Sequence, residues 1–596
     1  MLTEEQIAIV ASTGDVKINA VAGSGKTTTL IEYARARPGH KILYLAFNKT
    51  VRLEAEKKFA EQGISNVRVE TAHSLAFSRV VRGTNYTLKN EGYKTPEIVE
   101  LLDLNNFSGR HTEYILATHI NAFISYFCNS DKSKVQDLNY EEVVSDPSAR
   151  QFSLHFKEEI SHQTRLFLDK MNKGAIPIIH DFYLKKFQLS KPTLPYDIIL
   201  FDEGQDASET MLDIFLSQRA TKVIVGDSHQ QIYGWRYAVN SLAKVDYPSY
   251  NLSNSFRFNQ EIAQLAKDVI SWKKHIKIPS DIKITGKGKP GKIKTRAVIA
   301  RTNTGLLVKA IELLIEKKEI KSVYFEGRIE NYTYANEGAS IYDVLNLYNG
   351  EKERIRDKMI SSMKDMDELE EYIENTADAQ LRMLVEMVKE YGSKIPGYIK
   401  KLKESHLDHD DKNKADMIFS TVHRSKGMEY DEVTLADDFI TEEKLIDLME
   451  DKEIPANTAK LSEEVNLLYV AITRTKSELR ISEDIVPDIA QKTTISPNKS
   501  KPVQKNDVYR STGKKGDPYR SAGQKSNPYR PARGANDSSR SVKEKSKSAY
   551  AAWSDVEDKK LIKLYQQGRS VKELATIFER TTGSIAMRIK KLNPYE

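Results

Sequence analysis

Cysteine is all but missing from this chain: one residue, Cys128, in 596. That excludes an internal disulfide, and with it a disulfide-stapled secreted scaffold, as well as any cysteine-rich zinc or iron–sulfur centre. Cys128 follows Ile124-Ser125-Tyr126-Phe127, where a thiol is expected to pack as a small core residue. Long apolar runs are missing too. No stretch approaches the ~20 residues needed to cross a bilayer, and the first residues lack the basic-then-apolar pattern of a secretion signal. With 39% hydrophobic and 29% charged residues, the composition is that of an ordinary protein of the cytoplasm or nucleus. A chain of this length cannot build one core, and about four domains are expected.

What is present is unevenly placed. Residues 501–550 hold 13 Lys/Arg against four Asp/Glu, a local charge of +9, which leaves −2 for the rest of a chain whose net charge is +7. The same segment repeats every ten residues: Val508-Tyr509-Arg510-Ser511, Pro518-Tyr519-Arg520-Ser521, Pro528-Tyr529-Arg530-Pro531. Repeats this short cannot bury a core, so residues 491–550 are expected to be a disordered basic linker. Its Tyr-Arg pairs could stack on bases and meet phosphates, or the segment could be a solvated spacer. Beyond it, Ser554-x-x-Glu557 and Ser570-x-x-Glu573 each open an amphipathic helix as a capping box, and a basic third helix is expected from about Gly583 to Lys591. Three short helices over 551–596 resemble a Myb/SANT-like helix-turn-helix for duplex DNA, with a small protein-binding bundle as the alternative.

The chemistry lies upstream. Lys17 to Val21 reads as a strand, Ala22-Gly23-Ser24-Gly25-Lys26-Thr27-Thr28-Thr29 as a glycine loop, and Leu30 to Ala36 as a helical run. Strand, glycine loop and helix together make a P-loop. Its backbone N–H groups can face phosphate oxygens, and the helix N-terminus adds partial positive charge. Lys26 is expected to reach the β/γ-phosphates and Thr27 to ligate magnesium. Ala20 stands where the usual pattern has its first glycine. A second signal is Ile198-Ile199-Leu200-Phe201 followed by Asp202-Glu203-Gly204-Gln205-Asp206. Two carboxylates at the end of a buried strand suit a magnesium–nucleotide site, one for the metal and one to take a proton from water. Gln6, ahead of the P-loop, can read an adenine edge.

Up to about residue 500, strand-like and helical runs alternate, the signature of α/β layers. Ile42 to Phe47, Val67 to Glu70, Ile198 to Phe201 and Val223 to Val225 are expected in a first core. Ala297 to Ala300, Ile418 to Val422, Val433 to Ala436 and Leu479 to Ser482 are expected in a second. Mainly helical, charged insertions are expected at about 80–190 and 350–412.

Further segments follow in a fixed order: Thr71-Ala72-His73-Ser74-Leu75, Gly226 to Arg236, Leu252 to Arg257, Thr421 to Tyr430, and Leu468 to Arg474. This ordered set resembles the superfamily 1 helicases of the UvrD/Rep/PcrA group over about residues 1–490. It is similar above all to the helicase core of the F-box DNA helicases, through Asn466 to Ala471 and the run from Glu390-Tyr391-Gly392 and Ile395-Pro396 to His423. The resemblance implies two RecA-like cores: 1–79 with 191–255, interrupted by insertion 80–190, and 256–349 with 413–490, interrupted by insertion 350–412.

It implies roles as well. ATP and magnesium would lie between the cores, with Gly23, Ser24, Gly25, Lys26, Thr27 and Thr28 around the phosphates and Asp202 on the metal. Gln6 and Phe256 would hold adenine, with Glu429 near the ribose. Glu203 would be the general base, Gln205 and Gln230 would link γ-phosphate to nucleic acid, and Arg257 and Arg474 would be arginine fingers. Tyr233 and Trp235 would stack on bases, with Thr71, His73, Arg236, Asn303 and His423 along the sugar-phosphate chain. The implied activity is 3′→5′ ATP-driven movement on single-stranded DNA and at single/double-strand junctions, in repair, recombination or replication. A protein-displacing translocase with little unwinding, and a nucleotide-dependent DNA-binding regulator, are the alternatives. The second insertion, about 60 residues, is shorter than in UvrD-type relatives, and no F-box or nuclease motif is expected.

Overall fold

The computed structural model describes residues 2–107, 109–333, 338–450, 457–486, 494–497 and 555–566, with single positions beyond (569, 573–574, 577–578 and 588). The chain forms two compact units, one of Met1–Val385 with Pro396–Ser500, the other of Glu386–Ile395 with Lys501–Glu596.

The first unit holds two six-stranded sheets, and every pairing in both is parallel. In the first, β1 (Val16–Ala20), β2 (Ile42–Ala46), β3 (Val67–Thr71), β4 (Ile198–Phe201), β5 (Thr221–Gly226) and β6 (Ser249–Leu252) lie in the order β3-β2-β4-β5-β1-β6. The inner strands β2 and β4 are buried at every position. That is why they read as unbroken apolar runs, the mark of a parallel sheet covered on both faces. A short parallel pair, β7 (Asn254–Ser255) with β8 (Thr285–Gly286), follows. The second sheet contains β9 (Arg296–Ala300), β10 (Val323–Phe325), β11 (Met417–Thr421), β12 (Tyr430–Leu435), β13 (Thr475–Ile481) and β14 (Ile495–Pro497), ordered β10-β11-β9-β12-β13-β14.

Three differences from the sequence reading have physical causes. The helix after the glycine loop runs Lys26–Arg35, four residues earlier than the apolar run starting at Leu30. Gly25, at φ 80°, turns the chain so that Lys26 is already the first helical residue. Strand β13 starts at Thr475, before Leu479, because it alternates: Thr475, Ser477, Leu479 and Ile481 are buried while Glu478 and Arg480 are exposed. The second sheet also continues to Pro497, past the boundary at residue 490; Thr494 there donates its N–H to Glu261.

Between β3 and β4 lie the helices Thr95–Leu102, Thr112–Asn129, Pro147–His155, Lys157–Asn172 and His180–Leu189. Cys128 is fully buried among them, and burial pushes its thiol pKa far up. Between β10 and β11 the chain is helical from Ile341–Tyr348 onward, through Lys358–Ser362, Met366–Thr376, Ala379–Tyr391 and Ile395–Glu404. The two insertions meet: Thr118 bonds Tyr372 at 2.9 Å and the His119 ring meets the Asn375 carbonyl at 3.1 Å.

In the second unit, a helix runs Asp555–Gln566, and Leu561, Leu574 and Phe578 are buried. The Tyr-Arg repeats and most of the expected three-helix segment lie outside the described residues.

Candidate functional site

Every strand of the first sheet ends on the same side, and β1, β4 and β5 deliver their following loops there together. The loop after β1 carries Gly23 at φ 73° and Gly25 at φ 80°, conformations that L side chains resist. Both are also crowded. A Cβ on Gly23 would lie 2.7 Å from the Arg257 Cβ, and one on Gly25 3.2 Å from Gln6 Nε2. Ser24 Oγ is buried without a hydrogen-bond partner, and Thr28 is exposed at the start of the helix. Lys26 Nζ sits 2.6 Å from Glu203 Oε1. Burial opposes its charge, but Glu203 and Asp202 outweigh that and raise its pKa.

Asp202, 3% exposed, accepts bonds from the Tyr44 hydroxyl and from the Glu203 N–H at 2.9 Å. Burial, then the charge of Glu203, raise its pKa against the pull of Lys26. Glu203 itself adopts a left-handed backbone, φ 53° and ψ 42°, which non-glycine residues rarely tolerate outside functional turns. Burial disfavours its charge, yet Lys26, Lys426 and the Gln205 amide hold its pKa at about 2, so it is ionised at neutral pH. The donor set fits a nucleotide-bound divalent ion. Thr27 and Asp202 offer hard oxygen donors of the kind such an ion takes, beside a loop with an orphaned serine hydroxyl.

Gln6, Phe256, Arg257 and Glu429 surround the loop from outside. Gln6 is buried, and its amide is already engaged: it accepts the Thr3 N–H at 2.9 Å and donates to Thr29 Oγ1 at 3.1 Å. Thr3 and Gln6 form a capping box on the helix Glu4–Ala11, a spacing the sequence displays. Phe256, 51% exposed, borders a cleft of about 420 Å³ with Gly23, Arg257 and Glu429. Lys289, Asp431, Lys476 and Ser477 line the same cleft and were not singled out from the sequence. Arg257 bonds Glu429 at 2.9 Å and the Thr473 carbonyl at 2.9 Å.

The second core reaches into the first through Arg474 and Lys426. Arg474, 2% exposed, bonds Gln230 Oε1 at 3.3 Å and the Val470 carbonyl at 3.0 Å. Burial and then Arg257 lower its pKa to about 9, which leaves it a cation at neutral pH. Lys426 pairs with Asp206 and donates to the Gln230 carbonyl at 2.6 Å. Burial lifts the Asp206 pKa to about 6 against that attraction. Gln205 joins Glu203 at 2.6 Å to the Asp227 N–H at 3.0 Å, and Asp227 in turn binds Gln230 at 2.8 Å and Tyr469 at 3.0 Å. Gln205 needs Gly226 beside it, since a Cβ there would lie 2.2 Å from its Oε1. One connected network therefore runs from the carboxylate pair to both cores.

The same loop continues into an aromatic group. Tyr233 stacks on Phe47 with centroids 5.5 Å apart, and Lys426 Nζ lies 5.1 Å over its ring. Trp235 is 58% exposed, so it is no core residue; the Arg236 guanidinium lies 4.8 Å over it and the His423 ring stands edge-on at 6.3 Å. His423 bonds the Ile232 carbonyl at 2.9 Å, and burial, then Arg301, hold its pKa at about 4, so it is neutral. His73 lies 3.6 Å from Asp181, whose pKa falls despite burial because His73, Asn129 and Arg236 favour its charge. Thr71 caps its helix by accepting the Ser74 N–H at 3.0 Å, and Asn303 opens the helix Asn303–Ile311 of the second core. Phe47, Lys426, Tyr44, Asp227 and Tyr469 complete the site without having been singled out from the sequence.

Comparison with known proteins matches this arrangement. The UvrD/REP helicase N-terminal domain model matches residues 1–250, and the UvrD-like helicase C-terminal domain model matches residues 258–484. The F-box DNA helicase 1 of Gallus gallus is 30% identical over 79% of this chain and 47% of its own length. The F-box DNA helicase protein 1 of Schizosaccharomyces pombe is 29% identical over 81% of this chain and 58% of its own. The ATP-dependent DNA helicase PcrA of Bacillus subtilis is 28% identical over 45% of this chain and 39% of its own. The chain thus spans about half the length of the F-box relatives. With both halves of the helicase core matched in order, this chain belongs to the UvrD-like DNA helicase family.

Proposed function

We propose that this chain is an ATP-dependent DNA translocase and helicase that moves 3′→5′ on single-stranded DNA. The observation that carries the proposal is the continuous network from Lys26 and Glu203, through Gln205, Asp227 and Gln230, to the exposed Trp235, met from the second core by Arg474 and Lys426. Nucleotide chemistry and a stacking surface share one loop.

In this reading Lys26 leaves Glu203 for the β/γ-phosphates, Phe256 stacks on the base, and the freed Glu203 carboxylate takes a proton from the attacking water. Magnesium, held by Thr27 and Asp202, would neutralise phosphate charge. Arg257 and Arg474 act only when the cores close, which ties hydrolysis to movement. Tyr233, Trp235 and Arg236 hold bases by stacking, with Thr71, His73, Asn303 and His423 along the backbone; stacking tolerates any sequence. The domains are the two cores and two insertions set out from the sequence, followed by the basic linker. That linker and residues 551–596 tether the motor to duplex DNA beside a single/double-strand junction and raise its local concentration there. Repair or recombination in the cytoplasm or nucleus is the setting this implies.

Strand displacement on 3′-tailed and 5′-tailed duplexes with ATP tests the polarity. The 3′-tailed duplex is expected to open and the 5′-tailed one to stay closed; equal opening of both overturns it. Trp235→Ala removes a largely exposed ring, so the fold is expected to hold. Its affinity for oligo(dT) is expected to fall by about 1–3 kcal/mol, roughly 5- to 150-fold, read by fluorescence titration. Nucleotide affinity is expected to stay within twofold of wild type.

A further inference from the structure

The helix Thr458–Ile472 lies along the loop 227–235 and meets it at regular intervals. Tyr469 donates to Asp227 at 3.0 Å, Asn466 donates to the Gln231 carbonyl at 2.8 Å, and Glu463 accepts the Gly234 N–H at 3.1 Å. Positions 463, 466 and 469 are three apart, so they share one helical face. Their partners run in the opposite order, 234, 231, 227. Two residues past the end of the helix, Arg474 holds Gln230 at 3.3 Å. Six residues of helix span about 9 Å, enough to reach from the phosphate end of the loop to its stacking end.

Two of the three contacts are further supported. Lys273 bonds Asn466 at 2.6 Å and His229 at 3.3 Å, which fixes the middle rung. At the last rung Gly234 makes close approach possible, since a Cβ there would lie 2.5 Å from Glu463 Oε2. The next residue is Trp235.

We propose that this helix is the rod that relays the state of the phosphate end to the stacking residues, and that Glu463 and Asn466 are its positioning residues. The inference rests on the translocase reading above. A helix is stiff along its axis, so a shift of Arg474 moves Glu463, and Glu463 carries the backbone of Gly234 beside Trp235.

Glu463 also makes the relay sensitive to pH. Around it stand Glu464 and Lys460 on its own helix, Arg301 from the strand end beyond β9, and the Gly234 N–H from the loop; Arg301 is itself held by Glu464 at 2.8 Å. Burial, then Glu464, push the Glu463 pKa up to about 7 against the Gly234 N–H, Arg301 and Lys460. The ionised form accepts the N–H more strongly than the protonated form. The relay is therefore tightest above about pH 7 and slackens below it.

The test uses the full chain on oligo(dT) of increasing length with a dye at the 5′ end, and measures velocity and ATP consumption together. Loss of a hydrogen bond to a charged group in Glu463→Ala is expected to cut distance moved per ATP about tenfold. Saturated ATPase kcat and KM for ATP are expected to stay within twofold. Glu463→Gln still accepts the N–H, as a neutral group, and does not titrate; it is expected to hold coupling near the wild-type level of pH 6 across the range, and so to abolish the wild-type rise between pH 6 and pH 8. A Glu463→Ala chain that moves as far per ATP as wild type overturns the relay, as does a Glu463→Gln chain that keeps the wild-type pH profile. Wild type that hydrolyses ATP on oligo(dT) without ever reaching the dye overturns the translocase reading itself, and the relay with it.

Discussion

Glu203→Gln is expected to lower DNA-stimulated ATP hydrolysis by about 10²–10⁴-fold, the range for loss of a general base. The amide matches the carboxylate in shape, so one of the two donors on Glu203, Lys26 or Gln205, keeps an acceptor oxygen and the left-handed turn at φ 53° is untouched. ATP affinity is expected to hold within a few-fold, because Lys26 and the glycine loop are intact. Steady-state hydrolysis with saturating oligo(dT), beside titration of a fluorescent ATP analogue, separates the two quantities. Hydrolysis within tenfold of wild type would show that another group takes the proton. The carboxylate pKa of about 2 adds a sign. That value holds while Lys26 pairs with Glu203, so the resting enzyme carries the carboxylate ionised at neutral pH.

A second large effect is expected at Arg474. Arg474→Ala should reduce kcat by about 10³–10⁵-fold, the scale of an arginine finger, with little change in KM for ATP. Arg474→Lys is expected to recover less than a tenth of the wild-type rate, since a point charge on a flexible stem cannot hold several phosphate oxygens in a planar fork. The residue is buried and bonds Val470 and Gln230, so alanine also removes packing between the cores. Retained binding of oligo(dT) and of the ATP analogue distinguishes a lost finger from a disordered interface. A lysine variant at wild-type rate would mean that Arg474 is only a structural cation.

The sequence displayed the parts of the site that are local. The P-loop needs positive-φ glycines at Gly23 and Gly25, and β4 needs an unbroken apolar run before its carboxylates; both constraints are written into adjacent residues. The strand β13 was half hidden, because alternate polar residues blur a run that a buried parallel strand keeps continuous. Short strands such as β10 carry too few residues for any period to show. Residues that matter through distant contacts were the least visible. Lys426 is an ordinary surface-type residue until a chain 220 residues away sets Asp206 against it. Glu463 is one of two adjacent glutamates, and only the fold decides that one meets Arg301 while the other meets Gly234. Gln6 illustrates a different limit. It was singled out for an adenine edge, yet its amide also caps the helix Glu4–Ala11, so one residue carries a structural and a candidate binding duty.

The solitary cysteine has a practical consequence. Cys128 is wholly buried, and its raised thiol pKa keeps the reactive thiolate scarce. Dyes of the maleimide type would therefore leave the native chain dark. Pairs of cysteines introduced at exposed positions, such as Leu53 in the first core with Lys267 in the second, can carry donor and acceptor without background. The protein is thus already suited to testing, one molecule at a time, whether its two cores approach and part when nucleotide is added.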